Sequence, residues 1–271
     1  LCVACVNAKM HRLSVPALGT RDSPTEEFAL ISADTAKMDI PTFQGFKYYI
    51  VFICHCSRWN WVYLMKAKSD ASKCFRDFIL LCQTQSKTEK KFTLQCLRSD
   101  NEYRSLAFTT LCAKYGIKQA FTCSHTPHQN GTAERAHRTL GELCLSMLFH
   151  SGLPFPWWGE FLMTACYLVN RLPRAALGHK SPFEMRFSTP PDVSMLRVPG
   201  CVAYNRIPKH LRKKSMHKAI PLVHLGWSEQ SKGWRLANPT ARHVTTSRDV
   251  IFDELSSLRE STATGPLPLS T

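Results

Sequence analysis

Three strand-length apolar runs near the start constrain the fold more than any other feature of this chain. Ala29-Leu30-Ile31-Ser32-Ala33-Asp34, Tyr48-Tyr49-Ile50-Val51-Phe52-Ile53 and Trp61-Val62-Tyr63-Leu64-Met65 are rich in β-branched and aromatic residues, and Pro41, Gln44 and Gly45 mark a turn in the first gap. They predict one strand, then an antiparallel pair across a short loop. Beyond them the period lengthens. Ser69 is placed to cap a helix whose apolar positions Phe75, Phe78, Ile79 and Cys82 recur at helical spacing. Residues 92–97 predict a strand running into Arg98-Ser99-Asp100. Leu106, Phe108, Leu111 and Cys112 predict a short helix closed by Gly116, and residues 118–123 a further strand. A polar loop, 125–131, leads into a long helix from Thr132 with Ala136, Leu140, Leu143, Cys144 and Met147 on one face. Residues 157–172 are apolar nearly all round, the pattern of a buried helix. The order β-β-β-α-β-α-β-α is a mixed α/β layout.

Charge narrows the partner. Lys and Arg number 35 against 20 Asp and Glu, a formal net charge of +15 over 271 residues. Self-repulsion of that size is relieved by a polyanion, and nucleic acid is the commonest one. Ten of the basic residues lie between Arg206 and Arg248, where Glu229 is the one acid, so this stretch carries +9. Its apolar residues fall in strand-sized groups at 221–227, 233–236 and 242–252, which predicts a small basic β module. Residues 256–271 lack periodicity and are expected to be disordered. Most of the 12 cysteines sit inside apolar runs, as Cys82 and Cys166 do, and read as small buried hydrophobes in a reducing, intracellular setting. No apolar run approaches the roughly 20 residues needed to span a bilayer. Leu1-Cys2-Val3-Ala4-Cys5 opens without an initiator Met, so the chain reads as a piece of something longer.

Three acids occupy positions that suit metal chemistry. Asp34 and Asp100 each end a predicted strand, and Glu134 lies in the first turn of the long helix. If the two strands share a sheet, both aspartates project from one edge and the helix brings Glu134 to it. Three carboxylates so placed resist ionising together unless divalent cations neutralise them, and hard oxygen ligands suit Mg²⁺. Two such ions would activate an attacking oxygen and stabilise a leaving one in phosphodiester transfer. An aspartate at a strand end is also a common turn former, so spacing alone leaves both readings open.

The local sequences around these acids resemble copia-type retrotransposon integrases. The resemblance rests on Leu97-Arg98-Ser99-Asp100-Asn101, on Thr126-Pro127-His128-Gln129-Asn130-Gly131-Thr132-Ala133-Glu134-Arg135, and on Arg138-Thr139-Leu140. It continues through Ala165-Cys166-Tyr167-Leu168-Val169-Asn170-Arg171-Leu172-Pro173, Lys180-Ser181-Pro182-Phe183-Glu184, Gly200-Cys201-Val202-Ala203-Tyr204 and Ser247-Arg248-Asp249-Val250-Ile251-Phe252-Asp253-Glu254. It implies a ribonuclease H-like mixed-sheet catalytic core over 21–175, then a connector and the basic β-rich module over 176–255, with 1–20 ending a zinc-binding N-terminal region. It implies an Asp34, Asp100 and Glu134 triad that works with Mg²⁺ or Mn²⁺. The expected reaction is processing of 3′ ends and strand transfer of element DNA into target DNA. The protein would act as a homo-oligomer in the nucleus, after passage through a virus-like particle, with no membrane partner. Cys2 and Cys5 would be half of a Zn²⁺ site, completed by a histidine pair upstream.

Other matching residues have physical readings of their own. Gln129 and Asn130 are neutral hydrogen-bonding side chains suited to a phosphate or base edge, and Gly131 permits close backbone approach. Arg135 falls within the matching string, and Arg138 lies one turn after Glu134 on the same helix face, where it meets a phosphate or only solvent. Arg212, Lys213 and Lys214 are the densest basic run of the second module. His128 and His137 are positioned for proton work, though histidines in loops and on helix surfaces usually do none.

Three departures stand against the pattern. The family's Asp-Asn-x-x-Glu-Tyr is two residues shorter here, Asp100-Asn101-Glu102-Tyr103. Lys37-Met38 stand where Gly-Pro is usual, and Cys54-His55-Cys56 replaces an acidic pair before Ser57-Arg58. Adjacent strand residues point to opposite faces, which argues against a metal site in that last triplet. The sequence thus leaves two readings: a divergent integrase, or a decayed remnant that binds nucleic acid.

Overall fold

A computed structural model describes residues 24–85, 94–100, 103–121 and 131–258. The first sheet has five strands in the order β3-β2-β1-β4-β5. They are β1 (Leu30–Lys37), β2 (Tyr48–Cys54), β3 (Asn60–Met65), β4 (Cys96–Ser99) and β5 (Lys118–Phe121). β1, β2 and β3 form an antiparallel meander, while β4 and β5 are added in parallel beside β1.

Both faces of this sheet are covered, which is why β2 reads as an unbroken apolar run. Ile50, Phe52 and Cys54 face α1 (Ala71–Gln85) and α2 (Leu106–Tyr115), where Phe52 stacks on Phe78 with ring centroids 4.4 Å apart. Tyr49, Val51 and Ile53 face α3 (Gly131–Ser151) and α4 (Trp158–Val169). On α3 the buried positions include Ala133, Ala136, Leu140, Cys144 and Met147, as the helical period predicts, whereas Leu143 is only partly buried. A short α5 (Pro182–Phe187) is started by a reciprocal cap, in which Ser181 Oγ accepts from Glu184 N–H and the Glu184 carboxylate accepts from Ser181 N–H.

A second, wholly antiparallel sheet follows, in the order β10-β6-β7-β8-β9. Its strands are β6 (Cys201–Arg206), β7 (Ala219–Ser228), β8 (Gly233–Asn238), β9 (His243–Ser247) and β10 (Val250–Ser257). It docks on α4: Val223, Leu225 and Ala237 join the same apolar cluster as Phe161, Leu162 and Ala165. Thr164 Oγ1 donates to the Leu225 carbonyl at 2.6 Å.

The structure corrects several expectations. Ser69 is not the cap before α1. One 3-10 turn, Lys68–Asp70, intervenes, and the Asp70 carboxylate accepts from the Lys66 and Ala67 N–H groups. The group 242–252 is two strands, because β9 pairs with β8 while β10 crosses to β6. Ser256 and Ser257 belong to β10, with Ser257 buried, so the irregular tail expected from 256 begins too early; residues 259–271 lie outside those described. Seven of the nine described cysteines are buried, and burial pushes the Cys144 and Cys166 thiols up to about 12, in keeping with their role as apolar packing. Among the described residues no helix is long and apolar enough to cross a membrane.

Candidate active site

Asp34 does not end its strand. β1 runs on to Lys37 because its antiparallel neighbour β2 continues the ladder as far as Lys37↔Tyr48. The parallel neighbour stops earlier, at Ser99. On that side Asp34 therefore stands where the sheet gives out. The β1–β4 register is Leu30↔Cys96, Ile31↔Leu97, Ser32↔Arg98, and counted on two steps past the last pair it matches Asp34 with Asp100. The two aspartates are therefore neighbours by register, although 66 positions separate them in sequence.

The long helix α3 packs against β1 and β2 and begins at Gly131, so Glu134 lies in its first turn, exposed. One turn later His137 Nε2 lies 3.6 Å from Asp34 Oδ2, with its ring 5.2 Å from that of Tyr49. This contact ties the Glu134 turn to the aspartate edge. Burial lowers the His137 pKa to about 4, so the imidazole is neutral at physiological pH. Asp34 Oδ1 accepts from the Thr35 N–H at 2.8 Å, and Thr35 Oγ1 shares a short hydrogen bond with the Tyr103 hydroxyl. Tyr103 is buried edge-to-face against Phe108 and its N–H reaches the Asp100 carbonyl at 3.4 Å. The chain returning from Asp100 is thus fastened to the residue next to Asp34; Asn101 and Glu102, where the loop is short, lie outside the described residues.

Among the described residues no three His, Cys, Asp or Glu side chains close into one metal-holding group. Glu134 is exposed in the first turn of α3. Cys2, Cys5, Gln129 and Asn130 lie outside the described residues. Gly131 packs on the Arg135 side chain, where an added Cβ would lie 3.2 Å from its terminal nitrogen. Arg135 and Arg138 are exposed on α3. Lys213 and Lys214 are exposed, and Arg212 is half-buried, in the connection between β6 and β7.

Sequence reading missed the neighbours that shape this edge. His55 is buried with Nε2 2.7 Å from Ser32 Oγ, on the same face of β1 as Asp34. Asn170, from the loop after α4, accepts from the Asn60 N–H at 2.8 Å and donates to the Asn60 carbonyl at 2.9 Å. A side-chain amide thus continues the ladder at the start of edge strand β3. The available signal was the string Val169-Asn170-Arg171, which carries resemblance but no local pattern that announces a distant backbone partner.

Comparison with known proteins assigns the family. Residues 24–127 match the integrase core domain and residues 201–266 the retroviral polymerase SH3-like domain. The chain is 37% identical over 256 residues to the retrovirus-related Pol polyprotein from transposon TNT 1-94 of Nicotiana tabacum, covering 93% of this chain and 19% of that protein. It is 32% identical over 254 residues to the corresponding polyprotein from transposon RE2 of Arabidopsis thaliana, covering 93% and 17%. The chain belongs to the copia-type retrotransposon integrases. It spans less than a fifth of the length of those relatives. The fold likeness extends to a chain of the simian T-cell lymphotropic virus intasome, solved in complex with PP2A regulatory subunit B56 gamma. That match has a TM-score of 0.51 at 14% identity, covering 86% of the integrase chain and 80% of the other.

Proposed function

We propose that this integrase cuts and joins DNA strands itself, processing 3′ ends and transferring them into target DNA, with Asp34, Asp100 and Glu134 holding Mg²⁺ or Mn²⁺. The observation that carries the reading is the parallel β1–β4 register, which makes two aspartates neighbours at the edge where β4 ends. All three donors are hard carboxylate oxygens, the chemistry a small divalent cation takes. When bound, the metal would supply charge neutralisation at the phosphodiester oxygens.

The chain's own residues have separate tasks. The Thr35 N–H fixes one Asp34 oxygen and His137 packs beside the other, so the carboxylate enters the reaction already oriented. Arg138 offers a positive charge one turn beyond Glu134 for an incoming phosphate. Gln129, Asn130, Gly131 and Arg135 are assigned to DNA contact by their side-chain and backbone chemistry, and Arg212, Lys213 and Lys214 extend the grip to the second sheet. The division into a core over 21–175, a connector with basic β module over 176–255, and a zinc-binding end completed by Cys2 and Cys5 belongs to the same proposal. So do assembly into a homo-oligomer and action in the nucleus.

The test is strand transfer of a labelled oligonucleotide into plasmid DNA with Mg²⁺ or Mn²⁺. Asp100→Asn is expected to lower joining by at least about a hundredfold, as loss of a charge-stabilising group does, while leaving the melting temperature and metal-free DNA affinity unchanged. Equal joining by both proteins overturns the catalytic assignment. Binding without joining by either overturns the activity and leaves a nucleic-acid-binding remnant.

A further inference from the structure

Several arginines of this integrase are matched by an acid. Arg171 pairs with Glu229, Arg186 with Glu27, Arg197 with Glu254, Arg206 with Asp249 and Arg235 with Glu160. Arg58, Arg135 and Arg174 are not so matched. Among the described residues none of the three has a carboxylate partner, yet they gather at one place. Arg58 sits in the β2–β3 turn and its guanidinium reaches Thr132 Oγ1, in the first turn of α3, at 3.4 Å. Arg135 follows three residues later on that helix, and its positive charge opposes that of Arg58. Arg174, just beyond α4, is likewise opposed by Arg58. Burial and this mutual repulsion depress the pKa values of Arg58 and Arg174. The polar loop that enters α3, residues 122–130, contains no acid in its sequence.

The turn that carries Arg58 is built rather than loose. Arg58 adopts a left-handed φ of 58°, which costs energy for a side chain with a Cβ. Its backbone is held on both sides: its N–H donates to the Cys54 carbonyl at 3.0 Å, and its carbonyl accepts from the Asn60 side chain at 2.9 Å. Asn60 is locked in turn by Asn170. A strained turn pinned by two buried amides thus presents a guanidinium to the helix that carries Glu134, beside two more of the same charge.

We propose that Arg58, Arg135 and Arg174 form an anion clamp for a backbone phosphate of DNA, set beside the Glu134 turn. The inference rests on the nucleic-acid reading above and extends it to Arg58 and Arg174. The planar guanidinium forks suit phosphate oxygens, and an oxyanion between them removes the repulsion among the three like charges. The clamp grips phosphate and not a base edge, so it positions the strand without reading its sequence.

The experiment is metal-free binding of the full chain to a fluorescent DNA duplex, titrated with salt and read by anisotropy. Neutralising one phosphate fewer is expected to flatten the log–log salt slope by about 0.9. Arg58→Gly removes the charge while relieving the left-handed turn, and Arg174→Ala removes a second charge away from that turn. Each is expected to flatten the slope by roughly that amount, equally for duplexes of unrelated sequence, with Arg58→Lys keeping most of it. Arg76→Ala, on α1 across the sheet, should leave it unchanged. Melting temperatures within a few degrees of wild type verify folding, and either one of the two charge removals suffices if the other does not fold. If wild type binds DNA and both variants keep its slope, the clamp is wrong and the functional reading survives. If wild type binds no DNA, the nucleic-acid reading itself fails.

Discussion

At the scale of residues, the site edge is governed by which groups are forced to stay neutral. His55 illustrates this. Its ring is buried against Ser32, and burial first, then the positive charges of Arg98 and Arg58, push its pKa down to about 3. In the unfolded chain an imidazole titrates near about 6.5. The folded pKa lies below the unfolded one, so above about pH 6.5 the group is neutral in both states and costs nothing. As pH falls through the window between about 6.5 and 3, the unfolded chain takes up a proton that the folded chain refuses, and stability declines. His55→Gln keeps a hydrogen-bonding partner for Ser32 but cannot titrate. Urea denaturation at pH 7, 5.5 and 4.5 should show the variant losing less stability per pH unit, by up to about 1.4 kcal/mol per unit for one proton. His137 and His224 are also held below the usual range, so a residual slope is expected. Superimposable pH profiles for variant and wild type would mean that His55 is solvated. The sequence announced a histidine between two cysteines at this place, but β2 ends at Cys54 and His55 and Cys56 fall in the turn that follows, so strand alternation does not govern where they point. The sequence did not reveal the partner, because Ser32 is 23 residues away.

At the scale of elements, what was legible is what periodicity controls. The β2–β3 meander, the apolar stripe of α3 and the left-handed Gly116 that ends α2 all follow from local pattern. Less legible were elements whose ends depend on a distant neighbour. β1 outruns Asp34 because β2 pairs with it, and β10 leaves β9 because β6 is free to accept it. Close approach between elements is equally invisible in sequence. Gly226 lies at a bulge in the β7–β8 pairing, where an added Cβ would lie 2.4 Å from Thr164 Oγ1 on α4. Gly141, inside α3, has nothing within 4 Å of such a Cβ. The two therefore predict opposite signs for one substitution. Gly226→Ala is expected to destabilise by about 1–3 kcal/mol through overpacking. Gly141→Ala should stabilise by about 0.5–1 kcal/mol, the ordinary helix propensity difference. Denaturant midpoints with unchanged m-values would read both, and equal effects at the two positions would mean that β7 does not seat on α4.

At the scale of the whole molecule, the two sheets were read from sequence as separate modules with different composition, and the matched domains agree with that contrast. Their mutual arrangement was not readable, since α4 is apolar nearly all round and nothing local says which neighbour takes each side. One side packs on the first sheet, with Phe161 and Leu162 in the same cluster as Val51 and Ile53; the same cluster takes in Val223 and Leu225 of the second. Two ion pairs frame this joint, Glu160 with Arg235 and Arg171 with Glu229. A shared apolar cluster makes the second sheet lose packing as soon as α4 detaches, so the two should unfold together. Fluorescence, reporting Trp157 and Trp158 in the core and Trp227 and Trp234 in the second sheet, should trace the same urea transition as far-UV circular dichroism. The partly buried Glu160–Arg235 pair should add a coupling of about 1 kcal/mol in a double-mutant cycle of Glu160→Gln and Arg235→Gln. Two separated transitions, with no coupling in the cycle, would mean that the basic module is tethered and not docked. In that case Arg212, Lys213 and Lys214 would hold no fixed position relative to Asp34 and Asp100, and one continuous track for DNA across both sheets would have no structural basis.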